Sequence, residues 1–244
     1  MKKVLLVLVL CAFTFVSCND DDGNIVGVSF FDETISGKLM LMESNWEEDN
    51  YFPTYKDVTT EVDEIYGVGF CWERGGAANL GRASVSNGQF ALKLLVPNEE
   101  CLENIFEEFE DMEGVTISDK NVKGTFVELI CAKDGELVGR MFLSPANLND
   151  DINVMFIYAD RNVTIKGTEK DTYDDEIFIT EYNMNLQKGW NAVVGKEYGN
   201  EYTMATQNIP ASMFCVIYSK NYNDDSDKGM EYTQKTRRFK SFRK

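Results

Sequence analysis

The chain contains no histidine among its 244 residues. The absence of histidine excludes Ser-His-Asp and Cys-His mechanisms, histidine acid/base catalysis and histidine-ligated metal sites. Carboxylate pairs remain, as in glycosidases, where two Asp or Glu side chains flank the scissile bond. Because 41 residues are acidic, two neighbouring carboxylates would mean little. We therefore expect a non-enzymatic protein with no catalytic residue and no cofactor, and a carboxylate-dependent glycosidase is the least favoured alternative.

The density of acidic residues also raises the question of a calcium site. In "NYNDDSDKGMEY", Asn223, Asp225 and Asp227 alternate like the first ligands of an EF-hand loop. Lys228, however, occupies the glycine position, and no glutamate closes the loop at its twelfth position. Two looser groups are alternatives to solvated turns: Asn147, Asn149, Asp150 and Asp151, and Asp171, Asp174 and Asp175. We expect no metal site.

Aromatic side chains are concentrated in "SNWEEDNYFPTY", residues 44–55. The Asn, Asp and Pro content of this segment and its lack of periodicity predict a loop. Aromatic rings on a loop can stack on sugar faces, and adjacent carboxylates can accept hydrogen bonds from hydroxyl groups. The candidate ligand-binding residues are Trp46, Tyr51, Phe52 and Tyr55. The alternative is that these rings fold back over the open end of the domain as part of the core, which is the role we expect for Trp72 and Trp190.

Cys18 separates an apolar segment from an acidic one. Two lysines precede an apolar run of 13 residues, 4–16, which is shorter than the roughly 20 residues of a membrane-spanning helix and is typical of an export signal. The pair Ser17-Cys18 at the end of this run resembles the lipobox of bacterial lipoprotein precursors. The resemblance covers only residues 1 to about 22. It implies that residues 1–17 are a signal peptide and that Cys18 is acylated, as in palmitate-bearing lipoproteins, and anchored in outer-membrane lipid.

Three aspartates, Asp20, Asp21 and Asp22, follow this cysteine almost directly. They resemble the acidic export tag of Bacteroides-type surface lipoproteins, which implies lipid anchoring on the extracellular side of the outer membrane. The alternative is a solvated tether. In either case residues 18–34 are expected to form a flexible, lipidated tether.

The charge balance limits the partners. Removal of residues 1–17 takes away two lysines and no acid, so the formal net charge changes from −17 to −19. We expect no nucleic-acid partner, because such binding depends on clustered basic residues. The exception is "KTRRFKSFRK", residues 235–244, with six basic residues and no acid. We predict that residues 220–244 are a disordered tail, and attraction to anionic lipopolysaccharide or to the protein's own acidic surface is the functional alternative.

Short runs of alternating apolar residues predict about ten strands, which is typical of a sandwich or a barrel. Two hairpins are predicted by Asn87-Gly88 and Asp134-Gly135, because these pairs favour the positive φ angles of type I′ turns. After removal of residues 1–17, four cysteines besides Cys18 permit three disulfide connectivities, but all four have apolar neighbours, among which a free cysteine packs as a small hydrophobe. These cysteines are Cys71, Cys101, Cys131 and Cys215.

One amphipathic helix is predicted over residues 98–113, where apolar residues recur at steps of three and four after the N-cap Asn98. It would join two β modules, residues 35–97 and 114–219. The first, with "VSNGQFALKLLVP", resembles transthyretin-like sandwiches of bacterial surface proteins. The second, with "FIYADRNVTIKG", resembles a β module of uncharacterised lipoproteins.

The prediction is thus an all-β protein, a β-sandwich of one large or two consecutive modules with one helix, and a lipocalin-like β-barrel is the alternative. Its predicted role is that of a surface-anchored, non-enzymatic lipoprotein that binds a ligand or a partner protein. The ligand would be a glycan if the chain is a carbohydrate-binding accessory protein. The partner would be a surface protein if it is an adhesin or structural subunit.

Overall fold

The computed structural model describes the greater part of the chain between Val28 and Ser219. The described residues are 28–47, 50–58, 60–71, 76–107, 109, 112–145, 151–173, 176–210 and 213–219, and for 43–47, 50–53, 173, 218 and 219 only the backbone is described. The predicted signal peptide, Cys18, Asp20, Asp21, Asp22, Trp72 and the tail therefore lie outside the described residues. Among the described residues, no helix has the length and apolar character needed to cross a membrane.

The described residues are nearly all β-structure and form two curled sheets, each shaped like a half-barrel. Sheet 1 contains β1 (Ser29–Phe31), β2 (Thr34–Glu47), β3 (Asn50–Asp57), β4 (Glu64–Cys71), β5 (Gly76–Ser84), β6 (Gln89–Lys93), β9 (Glu128–Lys133), β10 (Glu136–Pro145) and β16 (Met213–Ser219). Its strand order is β1-β2-β16-β10-β9-β4-β5, and β3 and β6 also pair with β2. The predicted all-β sandwich or barrel-like fold is confirmed.

Sheet 2 is made of strands that lie between residues 115 and 206. It contains β7 (Val115–Ile117), β8 (Gly124–Phe126), β11 (Ile152–Ala159), β12 (Val163–Tyr173), β13 (Glu176–Leu186), β14 (Gly189–Tyr198) and β15 (Glu201–Thr206). Its strand order is β7-β12-β13-β15-β14-β11-β8. Most neighbours in both sheets are antiparallel, but β13 pairs parallel with β15, and β2 pairs parallel with β16.

The two predicted modules do not form separate sheets. Sheet 1 joins them twice, because β2 pairs with β16 through Leu39↔Cys215, and β4 pairs with β9 through Ile65↔Cys131. A boundary at residues 97/98 therefore cuts through the pairing partners of one sheet. The division of the structure into two sheets does not follow this boundary.

Two apolar cores follow from this arrangement. The first lies on the inner face of sheet 1 and includes Phe156 and Trp190 from sheet 2, so the sheets share it. The second lies on the other face of sheet 2, where Ile157 is covered by Phe106 and neighbouring residues of the segment 99–123. Strand β11 is apolar on both faces because one face lies in each core.

The segment 98–113 does not begin as the predicted helix. Residues Glu99–Cys101 form a single 3₁₀ turn, and the side chain of Asn98 makes no capping hydrogen bond. Leu102 is extended, and Glu103 forms an isolated β-bridge with Gly124. The predicted helix is wrong over these residues because a disulfide and a bridge fix the backbone in another conformation. The apolar side chains Ile105, Phe106, Phe109 and Met112 of this segment nevertheless pack in or against the second core, as their spacing suggests.

Both predicted hairpin turns are present. Asn87 and Gly88 have φ of 52° and 71°, and the amides and carbonyls of Ser86 and Gln89 bond reciprocally at 2.9 Å. The strands on either side of this turn then separate, because β5 pairs with β4, whereas β6 pairs with β2. The second turn, at residues 134–135, joins β9 to β10 as a regular hairpin.

Candidate functional site

The predicted aromatic loop is a β-hairpin. Strand β2 extends to Glu47, β3 begins at Asn50, and the two pair without interruption from Met40↔Asp57 to Glu47↔Asn50. Pairing with β16 ends at Leu41. Beyond this point residues 42–47 and 50–55 pair only with each other among the described strands, and we call this two-stranded projection the arm.

The loop prediction was wrong because it weighed turn-forming residues above strand propensity. Trp, Tyr, Phe and Thr favour the extended, half-buried backbone of a sheet. Pro53 does not interrupt β3, because β3 pairs only with β2 among the described strands, and an edge strand tolerates proline.

All four predicted candidate residues lie on the two paired strands of β2 and β3. The backbone of Trp46 lies directly opposite Tyr51, and Asn45 lies opposite Phe52. Tyr55 lies opposite Met42, at the base of the arm. The structure thus places all four candidates on one hairpin, within ten residues along two paired strands.

The described contacts near the base of the arm include an aromatic pair and an ion pair. The Tyr55 ring meets the Phe214 ring edge-on, with centroids 4.9 Å apart and planes at 85°. The ammonium group of Lys38 pairs with the Asp57 carboxylate at 2.7 Å. Tyr55 is half-buried, whereas the side chains of Trp46, Tyr51 and Phe52 lie outside what the structure describes.

A polar cluster that the sequence did not suggest lies on the outer face of sheet 1, the face turned away from the core. The Tyr66 hydroxyl donates to one carboxylate oxygen of Glu64, and the Arg82 guanidinium pairs with the other. Arg82 also lies 5.4 Å from the centre of the Tyr66 ring. These hydrogen bonds, first from Tyr66 and then from Arg82, lower the pKa of Glu64, and the bond to Glu64 raises the pKa of Tyr66.

A second carboxylate cluster fastens the segment 119–123 to the turn between β11 and β12. Asp160 accepts hydrogen bonds from the Lys123 amide at 2.9 Å and from Arg161 at 3.0 and 3.1 Å. Burial raises the pKa of Asp160, but these hydrogen bonds and charges outweigh it, so the pKa lies below its ordinary value. Glu64 and Asp160 are thus both held ionised, whereas a general acid needs a raised pKa.

An open hollow of about 500 Å³ lies beside the 3₁₀ turn. It is lined by Asn98, Glu99, Glu100, Leu102 and Lys123. The lining is mainly polar and charged, whereas most small-molecule sites are apolar clefts with a few polar groups. The hollow therefore gives little support to a small-molecule or glycosidase site.

The remaining expectations concern metals and cysteines. Within the described residues, no group of three or more Cys, Asp or Glu side chains is arranged to hold a metal ion. Of the candidate calcium ligands, Asp151 and Asp171 are described, and the others lie outside the described residues. Cys71 and Cys101 form a disulfide, which selects one of the pairings that the sequence left open.

Cys131 and Cys215 are free and buried in the first core. Burial raises the pKa of the Cys131 thiol to about 12 and raises the pKa of Cys215 as well. The thiolate is the reactive form of cysteine, so both thiols are unreactive at neutral pH. Their role is packing, as their apolar neighbours in the sequence suggest.

Comparison of the chain with protein families, with curated proteins and with solved structures found no match. The functional argument therefore depends on the residues of this chain. Sequence analysis missed the Glu64–Tyr66–Arg82 cluster. The alternation Glu64-x-Tyr66 places two of these side chains on one strand face, but Arg82 joins them only through the register of β4 with β5.

Proposed function

We propose that this protein is a lipid-anchored, non-enzymatic surface protein that binds a ligand through the arm. The observation that carries the proposal is the placement of Trp46, Tyr51, Phe52 and Tyr55 on a hairpin that projects beyond the strands of sheet 1. A projecting hairpin offers side chains on both faces, while its base is held by the packing of Tyr55 against Phe214.

Carbohydrate is the ligand class that this composition favours. Aromatic rings supply an apolar surface for sugar faces, and the acidic residues of the same segment supply acceptors for hydroxyl groups.

A structural subunit that assembles by strand addition is the second candidate. The observation in its favour is that β3 pairs only with β2 among the described strands. A strand that added to β3 would meet Pro53, which has no N–H group to donate. Proline on an edge strand is a common device against such pairing, and we therefore favour glycan binding.

The lipid anchor follows from the lipobox-like sequence at Cys18 and from the acidic run Asp20, Asp21 and Asp22. We expect Cys18→Ala to abolish incorporation of labelled palmitate and recovery in the membrane fraction. Replacing the three aspartates by alanine should leave palmitate incorporation intact and reduce cleavage by protease added to whole cells. Palmitate incorporation into Cys18→Ala, or unchanged cleavage of the triple variant, would contradict this part of the proposal.

A comparison of two tryptophans tests the arm. If Trp46 is part of a binding surface, Trp46→Ala should shift the free energy of unfolding by no more than about 0.5 kcal/mol. Binding to a glycan array should fall by about tenfold, equivalent to about 1.4 kcal/mol. The matched variant Trp190→Ala removes a buried ring and should destabilise the protein by roughly 3 to 5 kcal/mol in a urea melt. A large loss of stability in Trp46→Ala would show that Trp46 belongs to the core and would contradict the proposal.

A further inference from the structure

Three large apolar side chains are exposed at one end of sheet 1. Phe31 is 83% exposed, Val96 66% and Leu95 51%. Strands β1 and β6 both run toward the first residue of β2, Thr34, which lies opposite Phe31 on one side and opposite Lys93 on the other. Leu95 and Val96 follow β6 beyond that point. The three side chains therefore lie at the same end of the sheet, and we call them the apolar tip.

The backbone of the tip is fixed by the domain behind it. The Leu95 amide donates to the Leu80 carbonyl at 2.7 Å, and the Leu95 carbonyl accepts the indole N–H of Trp190 at 2.9 Å. On β1, Phe30 packs against the first core, and successive residues of a strand point to opposite faces, so Phe31 points away from it. An apolar medium could therefore cover these side chains without leaving a polar backbone group of Leu95 unsatisfied.

The turn between β1 and β2 carries two acids that are matched by lysines. The Lys93 ammonium lies 3.1 Å from a carboxylate oxygen of Asp32 and 3.8 Å from one of Glu33. Glu33 also lies beside Gly189, which follows the exposed Lys188. These charges balance at the tip, whereas the chain as a whole has a formal net charge of −17. The tip is thus a part of the protein that meets little repulsion from a lipid surface, which is commonly negative.

The first described residue lies close to the tip. The Val28 amide donates to the Met213 carbonyl, and Phe31 follows three residues later, about 10 Å along β1. Under the proposed function, Cys18 carries the lipid. Ten residue steps join Cys18 to Val28, and they span at most about 35 Å in any conformation. The lipid anchor therefore keeps the tip within reach of the membrane surface.

Other exposed apolar side chains lie at the opposite end of the strands. Ile177, at the start of β13, is 57% exposed, and Tyr198, at the end of β14, is 68% exposed. Strand β14 begins at Gly189, beside Glu33, so nine residue steps, about 30 Å, separate Tyr198 from the tip. The arm likewise lies at the far end of β2. The tip, unlike these features, adjoins the point where the described chain begins.

We propose that the apolar tip rests on the lipid surface of the membrane that holds Cys18, with Phe31, Leu95 and Val96 inserted among the lipid headgroups. This proposal rests on the lipid anchor of the proposed function and adds the orientation of the domain on the membrane. The acyl chains supply stable attachment, and tethering raises the effective concentration of lipid at the tip, so a contact of three side chains suffices. The arm then projects away from the membrane.

Photo-crosslinking in vesicles tests the proposal. We would express the full chain with benzoylphenylalanine in place of Phe31 or of Tyr198, purify the lipoprotein and reconstitute it into vesicles of palmitoyl-oleoyl-phosphatidylcholine. Irradiation and mass spectrometry then measure the yield of phosphatidylcholine adducts and, in the same sample, the acylation of Cys18. Tyr198 is the matched control because it is an exposed aromatic residue far from the tip. We expect the adduct yield at position 31 to exceed that at position 198 by at least about fivefold.

A pair of charge variants provides a second test. Val96→Glu puts a charge into the tip and should reduce the adduct yield at position 31 by at least about fivefold. Ile177→Glu makes the same change at a similarly exposed apolar position and should leave that yield unchanged. A urea melt of each variant establishes that it is folded, and the comparison of positions 31 and 198 requires neither variant.

The outcomes separate this proposal from the lipid anchor. Equal adduct yields at positions 31 and 198 in a protein acylated on Cys18 would overturn the orientation and leave the anchor intact, as would an unchanged yield in Val96→Glu. A Cys18 without acyl chains would contradict the anchor and remove the basis of this proposal with it. Links from position 31 to a second copy of the protein, in place of lipid, would assign the tip to self-association and would also overturn the proposal.

Discussion

Trp190 shows how one side chain joins the two sheets. Its indole N–H donates to the Leu95 carbonyl at 2.9 Å, and its ring meets the Tyr158 ring at 5.5 Å and 70°. The ring is buried in the first core, and its polar atom is satisfied by a backbone carbonyl just after β6. Burial with a satisfied N–H is the arrangement in which tryptophan stabilises a core most, which is why Trp190→Ala is the destabilising control for Trp46→Ala.

The Glu64 cluster predicts a pH dependence with a definite sign. The pKa of Glu64 is lowered in the folded state, so its contribution to stability is fully present above the ordinary glutamate pKa of about 4.3 and is lost as the pH falls through the lowered value. An NMR titration should find the Glu64 pKa below about 4.3 and should find it higher in Arg82→Gln. The control Arg140→Gln, which removes the partner of Glu128, should leave the pKa of Glu64 unchanged. An equal pKa in the Arg82 variant and the parent would show that this ion pair does not form in solution.

Gly167 is a position where only glycine fits. Its φ is 138°, and an added Cβ would lie 2.0 Å from the carbonyl oxygen of Gly114 on the neighbouring chain segment. The carbonyl oxygen belongs to backbone that cannot move away cheaply, so we expect Gly167→Ala to lower the free energy of unfolding by roughly 2 to 4 kcal/mol. Gly76→Ala is the matched control, because nothing lies within 4 Å of its added Cβ, and its urea midpoint should stay close to that of the parent. A midpoint for Gly167→Ala equal to that of Gly76→Ala would contradict this prediction.

The backbone conformation or the burial of a single residue could be predicted from the sequence where a local rule determines it. The positive φ angles of Asn87 and Asp134 follow from turn chemistry, and the burial of Trp190 follows from its strand. The meeting of Glu64 with Arg82 could not be predicted. It depends on the register between two strands, and neither residue carries a local signal of that register.

At the scale of elements, the disulfide Cys71–Cys101 fastens the segment 99–123 to the end of β4. That segment supplies Phe106, Phe109 and Val122 to the second core. Closing a loop of 30 residues stabilises a folded chain by roughly 3 to 4 kcal/mol in the chain-entropy model.

We therefore expect the double variant Cys71→Ser, Cys101→Ser to lose roughly 3 to 4 kcal/mol of unfolding free energy in a urea melt. Reductant should destabilise the parent by a similar amount and leave the double variant unchanged. A parent that is insensitive to reductant and as stable as the variant would show that the segment is held by packing alone.

The two elements that sequence analysis assigned wrongly have a common cause. Residues 98–113 have helical spacing, but near the disulfide and the bridge Glu103↔Gly124 residues 99–103 form a 3₁₀ turn followed by extended backbone. The arm has the composition of a loop, but pairing with β2 makes it a strand. In both cases contacts with distant residues outweigh local preference.

At the scale of the whole molecule, both halves of the chain are built into sheet 1 and share the first core. We expect a single cooperative unfolding transition in urea, with coincident curves from tryptophan fluorescence and far-UV circular dichroism. Two separate transitions would show that the predicted modules 35–97 and 114–219 unfold independently. The sequence predicted the strands but not this pairing, because parallel contacts between the ends of a chain leave no periodic or turn signal.

The parallel pairing of β2 with β16 also determines the order of events during folding. Leu39 meets Cys215, so the central ladder of sheet 1 forms only when both ends of the domain are present together. Folds with such distant contacts form slowly, because the loop must close before its contacts stabilise it. A chain that is synthesised from its N-terminus onward therefore cannot complete this sheet until residues 213–219 have been added, and until then the edge of β2 that β16 will occupy is open to other partners.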